Sequence, residues 1–153
     1  MKLKFFSSLV LVAMLFLAAC APQAGTNEPA NPPASSHGGA VEDQVSLLDA
    51  LRAAGAEVEI GDSVEQPFFS VKGQIVKVNG ADVQVFEYES AEALEADAGQ
   101  VAPDGGSIGT SMVTWVESPH FFKAGRVLVL YVGEDAATIK LLEGALGVQF
   151  AGR

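Results

Sequence analysis

Residues 41–153 predict an α+β domain, and three observations carry that prediction. Asn79-Gly80 stands between two β-rich, alternating runs. That is the pattern of a tight hairpin, because a type I′ turn needs positive φ at both central positions. Val127-Leu128-Val129-Leu130-Tyr131-Val132 is an unbroken apolar run, the mark of a strand covered on both faces and therefore central. Three further stretches repeat apolar residues at helical spacing. The expected order is α-β-β-β-α-β-β-α, with about five strands in a mainly antiparallel sheet and all helices packed on one face. A segment of this length suits a single domain with a real core.

The first helix is expected around Leu47, Leu48, Leu51 and Ala54, which fall on one side of a helical wheel. Ser46 with Asp49 is one candidate capping box, Asp43 as N-cap of a longer helix is the other, and Gly55 is a good stop. Ala56-Glu57-Val58-Glu59-Ile60 alternates, a half-buried strand with both carboxylates on its wet side. Val71–Val78 and Val83–Tyr88 form the hairpin. A two-residue loop pairs Val78 with Ala81, Val76 with Val83 and Lys77 with Asp82. A loop over residues 79–82 instead pairs Val78 with Val83 and Ile75 with Phe86, and the pattern leaves both registers open.

Ser90 is placed to cap the second helix, whose stripe is Ala91, Leu94, Ala98 and Val101, with Glu92, Glu95 and Asp97 toward water. Pro103-Asp104-Gly105-Gly106 is a turn without the spaced oxygens of a calcium loop. Met112–Glu117, carrying Trp115, reads as the next strand, and Pro119–Gly125 as its connection to Val127–Val132. A third helix spans about Ala136–Leu146, with Ile139, Leu142 and Leu146 inward and Gly147 as its stop. Val64-Glu65-Gln66-Pro67-Phe68-Phe69 echoes Val116-Glu117-Ser118-Pro119-His120-Phe121-Phe122, so two Pro/Phe-Phe corners are expected in comparable places near Trp115. Aromatic pairs on loops line an apolar groove or plug the end of a core. Phe68, Phe69, Trp115, His120, Phe121 and Phe122 are therefore the candidate ligand or partner contacts.

Residues 1–40 have a different character. Lys2 and Lys4 precede an apolar run, Phe5 to Phe16, which closes on Leu17-Ala18-Ala19-Cys20 and the only cysteine of the chain. A basic end, a short apolar stretch and small residues at a cleavage site make a secretory signal peptide. As a helix, residues 5–19 would reach only ~22 Å, short of an apolar bilayer core of ~30 Å. Leu17-Ala18-Ala19-Cys20 resembles the lipobox of bacterial lipoproteins. The resemblance implies that residues 1–19 are removed, that the Cys20 sulfur takes a diacylglycerol, and that the new amino group receives a further fatty acid such as palmitate. It further implies a protein held in the cell envelope, outside the cytoplasm, by its lipid. With Ala21 rather than aspartate after Cys20, the expected address is the outer membrane of a two-membrane cell. In a one-membrane cell it is the outer leaflet of the plasma membrane. Residues 21–40 contain four prolines, three glycines and no large apolar side chain. Such a stretch cannot bury enough surface to offset its ordering entropy and reads as a tether.

Charge and chemistry narrow the function. The chain has 9 basic and 19 acidic residues, a formal charge of −10. That disfavours nucleic acid and electrostatic docking to anionic headgroups, leaving membrane affinity to the lipid. The domain has no cysteine of its own and one histidine, His120, too few ligands for a zinc site. There is no Gly-x-Ser-x-Gly elbow, and Gly105-Gly106-Ser107-Ile108-Gly109 lacks the lysine of a phosphate loop. No cofactor or metal is expected. The domain resembles those of small bacterial lipoproteins without an assigned activity, and that likeness carries no function. The leading expectation is a non-catalytic domain that binds an envelope protein or a small apolar ligand. The alternatives are an envelope enzyme or accessory using carboxylates and His120, and a structural or assembly lipoprotein.

Overall fold

A computed structural model describes residues 40–153. Cys20 and the 1–19 leader therefore lie outside the described residues, as does nearly all of the 20–40 tether. The elements are α1 (Gln44–Ala53), β1 (Val58–Val64), β2 (Gly73–Val78), β3 (Ala81–Glu87), α2 (Ala91–Ala98), β4 (Ser107–Ile108), β5 (Ser111–Met112), β6 (Pro119–Ala124), β7 (Val127–Val132), α3 (Ala136–Leu146) and β8 (Ala151–Gly152). Six strands form one antiparallel-paired sheet in the order β1-β2-β3-β7-β6-β8, and β4 with β5 makes a small separate ribbon. The class is α+β, with the helices where the sequence puts them.

Local chemistry sets the boundaries. Asp43, the second of the two candidate caps, starts α1: its carboxylate accepts the Ser46 N–H at 2.9 Å, while the Ser46 hydroxyl accepts the Asp43 N–H at 2.9 Å. Ser90 caps α2 through the Ala93 N–H, and Asp135 caps α3 through the Thr138 N–H. Gly147, at φ +85°, ends α3 in a conformation that other residues rarely adopt. Asn79 and Gly80 both have positive φ, so the two-residue loop wins and Val76 faces Val83 while Lys77 faces Asp82. Asn79 also clasps β1, its Oδ1 accepting the Glu57 N–H at 2.8 Å and its own N–H donating to the Glu57 carbonyl at 2.9 Å. A Cβ on Gly80 would touch nothing, so Gly80→Ala is a purely conformational change at φ +87°. It is expected to cost about 1 kcal/mol, read as a lower urea midpoint at unchanged slope.

β7 is central, as its composition predicts: Val127 to Leu130 are wholly buried. Its alternation divides the interior into two cores. Val127, Val129 and Tyr131 pack with Leu47, Leu48 and Leu51 of α1 and Leu142 and Leu146 of α3. Leu128 and Leu130 pack with Leu94 and Ala98 of α2, and with Phe69, Phe86, Tyr88 and Ile108. The expectation of three helices on one face therefore needs correcting, because α2 lies on the face opposite α1 and α3. Chain direction explains why. β3 and β6 both pair antiparallel with β7, so they are parallel and α2 bridges them; β7 and β8 are likewise parallel across β6, bridged by α3. The two crossovers step the same way along the sheet from oppositely directed strands. Crossovers of one hand must then place their helices on opposite faces.

Two other expectations change. The connection Pro119–Gly125 is instead strand β6, paired on both sides with β7 and β8. Proline is tolerated there because it is the first residue of the strand. The expected strand Met112–Glu117 is paired only at Ser111–Met112, and bends follow at residues 116–117. β1 begins two residues later than its alternation suggests and runs to Val64, with a register shift between Ile60 and Ser63. Glu57 and Glu59 are exposed as expected, and the irregularity together with Glu59 and Asp62 blunts this open edge. The internal echo does not produce a structural repeat: Phe68-Phe69 sits in a turn, whereas Phe121-Phe122 lies within β6.

Candidate binding site beside Trp115

Alternation along β6 sends neighbouring side chains to opposite cores. Phe121 joins the α2 side and Phe122 the α1/α3 side, both with no exposed surface. Their expected role as contact residues is corrected accordingly: a side chain without surface cannot meet a partner. Phe69 is also buried, whereas Phe68 and Trp115 are half-buried. One ring of each pair, Phe68 and Phe121, meets Trp115, whereas Phe122 lies in the opposite core, so the expected convergence of both corners on Trp115 holds only in part. The Trp115 ring meets Phe68 edge-on at 6.2 Å and Phe121 at 5.9 Å. Phe68 in turn meets Phe69 at 4.9 Å, and Phe69 meets Phe86 at 4.8 Å. The Trp115 indole N–H donates to the Gly105 carbonyl at 2.7 Å, tying this ring to the 103–106 turn. Edge-to-face contacts of this kind add to what area burial alone supplies.

His120 points to the other face. It is buried and stacks on Tyr131 at 6.0 Å between ring centroids. Nε2 lies 3.1 Å from the Gly133 carbonyl and Nδ1 2.7 Å from the Gln149 side-chain amide. Both ring nitrogens are thus engaged by neutral groups, and among the described residues no carboxylate is hydrogen-bonded to the ring. His120 lines none of the grooves described below. The arrangement holds a strand end in place; it is not that of a base presented to a substrate. Among the described residues, no group of three or more His, Cys, Asp or Glu is arranged to hold a metal ion.

A groove of about 410 Å³ opens on one side of Trp115. Its walls come from four places in the sequence: Asp104 and Gly106 of the turn, the segment Val113–Pro119 apart from Val116, Glu134, and Arg153. Three carboxylates, Asp104, Glu117 and Glu134, and one guanidinium, Arg153, line it. Asp104 accepts the Gly106 N–H at 2.9 Å, and the Ser118 hydroxyl lies 3.4 Å from Glu134. Their neighbourhood could not be seen in the sequence, where they are spread over residues 104–153. Two other concavities, of about 460 and 350 Å³, lie elsewhere. One follows the Glu65–Lys72 loop, and one, almost wholly apolar, lies between Ala54 and the α3 residues Ala137, Lys140, Leu141 and Gly144. Among the grooves of the described residues, the Trp115 groove combines an aromatic wall, several charged side chains and four separate stretches of chain, features of a built binding site.

A buried carboxylate supports the same region from behind. Asp97, expected on the wet face of α2, is only 7% exposed. It accepts the Ser70 N–H at 2.7 Å, the Ser70 hydroxyl at 2.8 Å and the Tyr88 hydroxyl at 3.0 Å. This knot pins the Phe68-Phe69-Ser70 turn against α2 and β3. The sequence did hold a signal for it, since Asp97 stands between Leu94 and Ala98 on the stripe. Burial, the adjacent Asp97 charge and the hydrogen bond to it hold the Tyr88 hydroxyl proton well above the usual tyrosine range.

No protein-family model matches this chain, and no significant match to it occurs among curated proteins or solved structures.

Proposed function

We propose that the chain is a lipid-anchored cell-envelope protein whose α+β domain is a non-catalytic binding module. The observation that carries the anchor is Leu17-Ala18-Ala19-Cys20 at the end of a signal-like apolar run. Two or three acyl chains on Cys20 give firm attachment, since each buried CH₂ contributes about 0.8 kcal/mol. Among the described residues no helix is long and apolar enough to cross a membrane. The Trp115 groove supports binding as the task of the domain, and the engagement of His120 by Gly133 and Gln149 favours binding over acid/base chemistry. The site of action is the outer membrane in a two-membrane cell, or the outer leaflet of the plasma membrane otherwise.

Cells fed an alkyne fatty acid provide the test. The wild-type chain is expected to incorporate the label and enter the detergent phase on Triton X-114 separation. Cys20→Ser is expected to lose the label and accumulate as the longer precursor. Normal trimming and labelling of Cys20→Ser would sink the anchor.

A further inference from the structure

We propose that the Trp115 groove and its outer rim are a docking surface for a basic, extended segment of a partner protein. A lysine or arginine side chain enters among Asp104, Glu117 and Glu134, and apolar neighbours of that side chain cover Met112 and Val116. The proposal rests on the reading of the domain as a binding module and supplies its partner class.

The 112–117 segment carries the argument. Met112 is 91% exposed and Val116 94%, the two most exposed large apolar side chains among the described residues. Solvated apolar groups at this density, beside a groove, are a feature of contact surfaces. Val113 and Trp115 turn inward and hold the segment, the first through its N–H to the Gly106 carbonyl and the second through Gly105. From Thr114 to Glu117 the backbone makes no hydrogen bond within the described residues, although its composition is that of a strand. These N–H and C=O groups are left to water or to a partner's backbone. An extended peptide satisfies them and covers alternate side chains at the same time.

Charge decides which peptide. The groove presents three carboxylates against one guanidinium, on a chain of formal charge −10. A second copy of this chain brings like charge and is disfavoured, whereas a basic segment is attracted.

Trp115 is the only tryptophan of the chain and lines this groove, so tryptophan emission reports changes at it. The full chain in detergent micelles is titrated with a synthetic Val-Lys-Val-Thr-Lys-Val peptide at low salt. A saturable change in emission is expected, weakened about tenfold by Glu117→Lys with Glu134→Lys and weakened again by Met112→Ser with Val116→Ser. Glu143→Lys, an exposed charge change on α3, is expected to leave the titration unchanged. An equal loss with Glu143→Lys would overturn the proposal in favour of diffuse charge attraction. Equal binding of the peptide with glutamate in place of lysine would overturn the basic partner while leaving the groove a binding site. Spermidine binding as tightly as the peptide would overturn the assignment to a peptide, and no saturable change would overturn the docking surface itself. None of these outcomes depends on acylation of Cys20, so the anchor stands or falls separately.

Discussion

Phe121→Ala and Phe122→Ala are each expected to destabilise the domain by about 3–5 kcal/mol, enough to lower its thermal midpoint by roughly 15 °C. Both rings are wholly buried, and each truncation leaves a ring-sized hole in a different core. Beneath Phe121 are Trp115 and Phe150, at 5.9 and 6.1 Å between centroids. Beneath Phe122 is the layer that α1 and α3 cover. Because the cavities lie on opposite sides of the sheet, the two losses should be close to additive. Thermal unfolding followed by circular dichroism checks both. A shift of only a degree or two for either variant would contradict the two-core description. Any loss of binding in these variants has to be read after stability is restored by cooling, since they act on the fold before they act on the groove.

Asp97→Ala is expected to cost about 3 kcal/mol, because it strands the buried Tyr88 hydroxyl and the Ser70 N–H at once. Asp97→Asn can keep an oxygen at the Oδ2 position, where both donors converge, and should cost less. The same knot gives a pH signature. Unfolding exposes Tyr88, which then releases its proton near 10, whereas the folded protein retains it at higher pH. Stability is therefore fully present below pH 10 and falls as pH rises beyond it, since the unfolded state binds fewer protons there. In Tyr88→Phe this contribution to the fall disappears. Urea midpoints between pH 8 and 11 measure it, and an unchanged decline in Tyr88→Phe would contradict the assignment to this hydroxyl.

Particular residues show how much of this was legible beforehand. Asn79-Gly80 announced its hairpin because the turn's φ requirements are local, and the unbroken apolar run announced β7 because a doubly covered strand has no polar side. The register at the hairpin was not legible from side-chain pairing, which set larger apolar groups opposite each other in the longer loop; the conformational preference of two residues decided for the shorter one. Pro119-His120 read as a loop, yet proline at the first position of β6 loses no ladder bond that matters. Helix periodicity placed α2 but not its face, which depends on strand directions that no local pattern contains. Met112–Glu117 has the composition of a strand and, among the described residues, lacks along most of its length the neighbour that would make it one. Asp104, Glu117 and Glu134 meet only through the fold. The resemblance of Leu17-Ala18-Ala19-Cys20 to a lipobox is the reverse case, a reading that rests entirely on sequence.

The central claim is that Cys20 becomes the lipid-bearing first residue of a domain that works from the membrane. Mass spectrometry of the N-terminal peptide, from protein extracted with detergent out of cell membranes, tests it most directly. The account predicts a peptide beginning at Cys20 and carrying diacylglycerol on sulfur. A peptide that retains residues 1–19, or that begins at Cys20 with a free thiol, would contradict it.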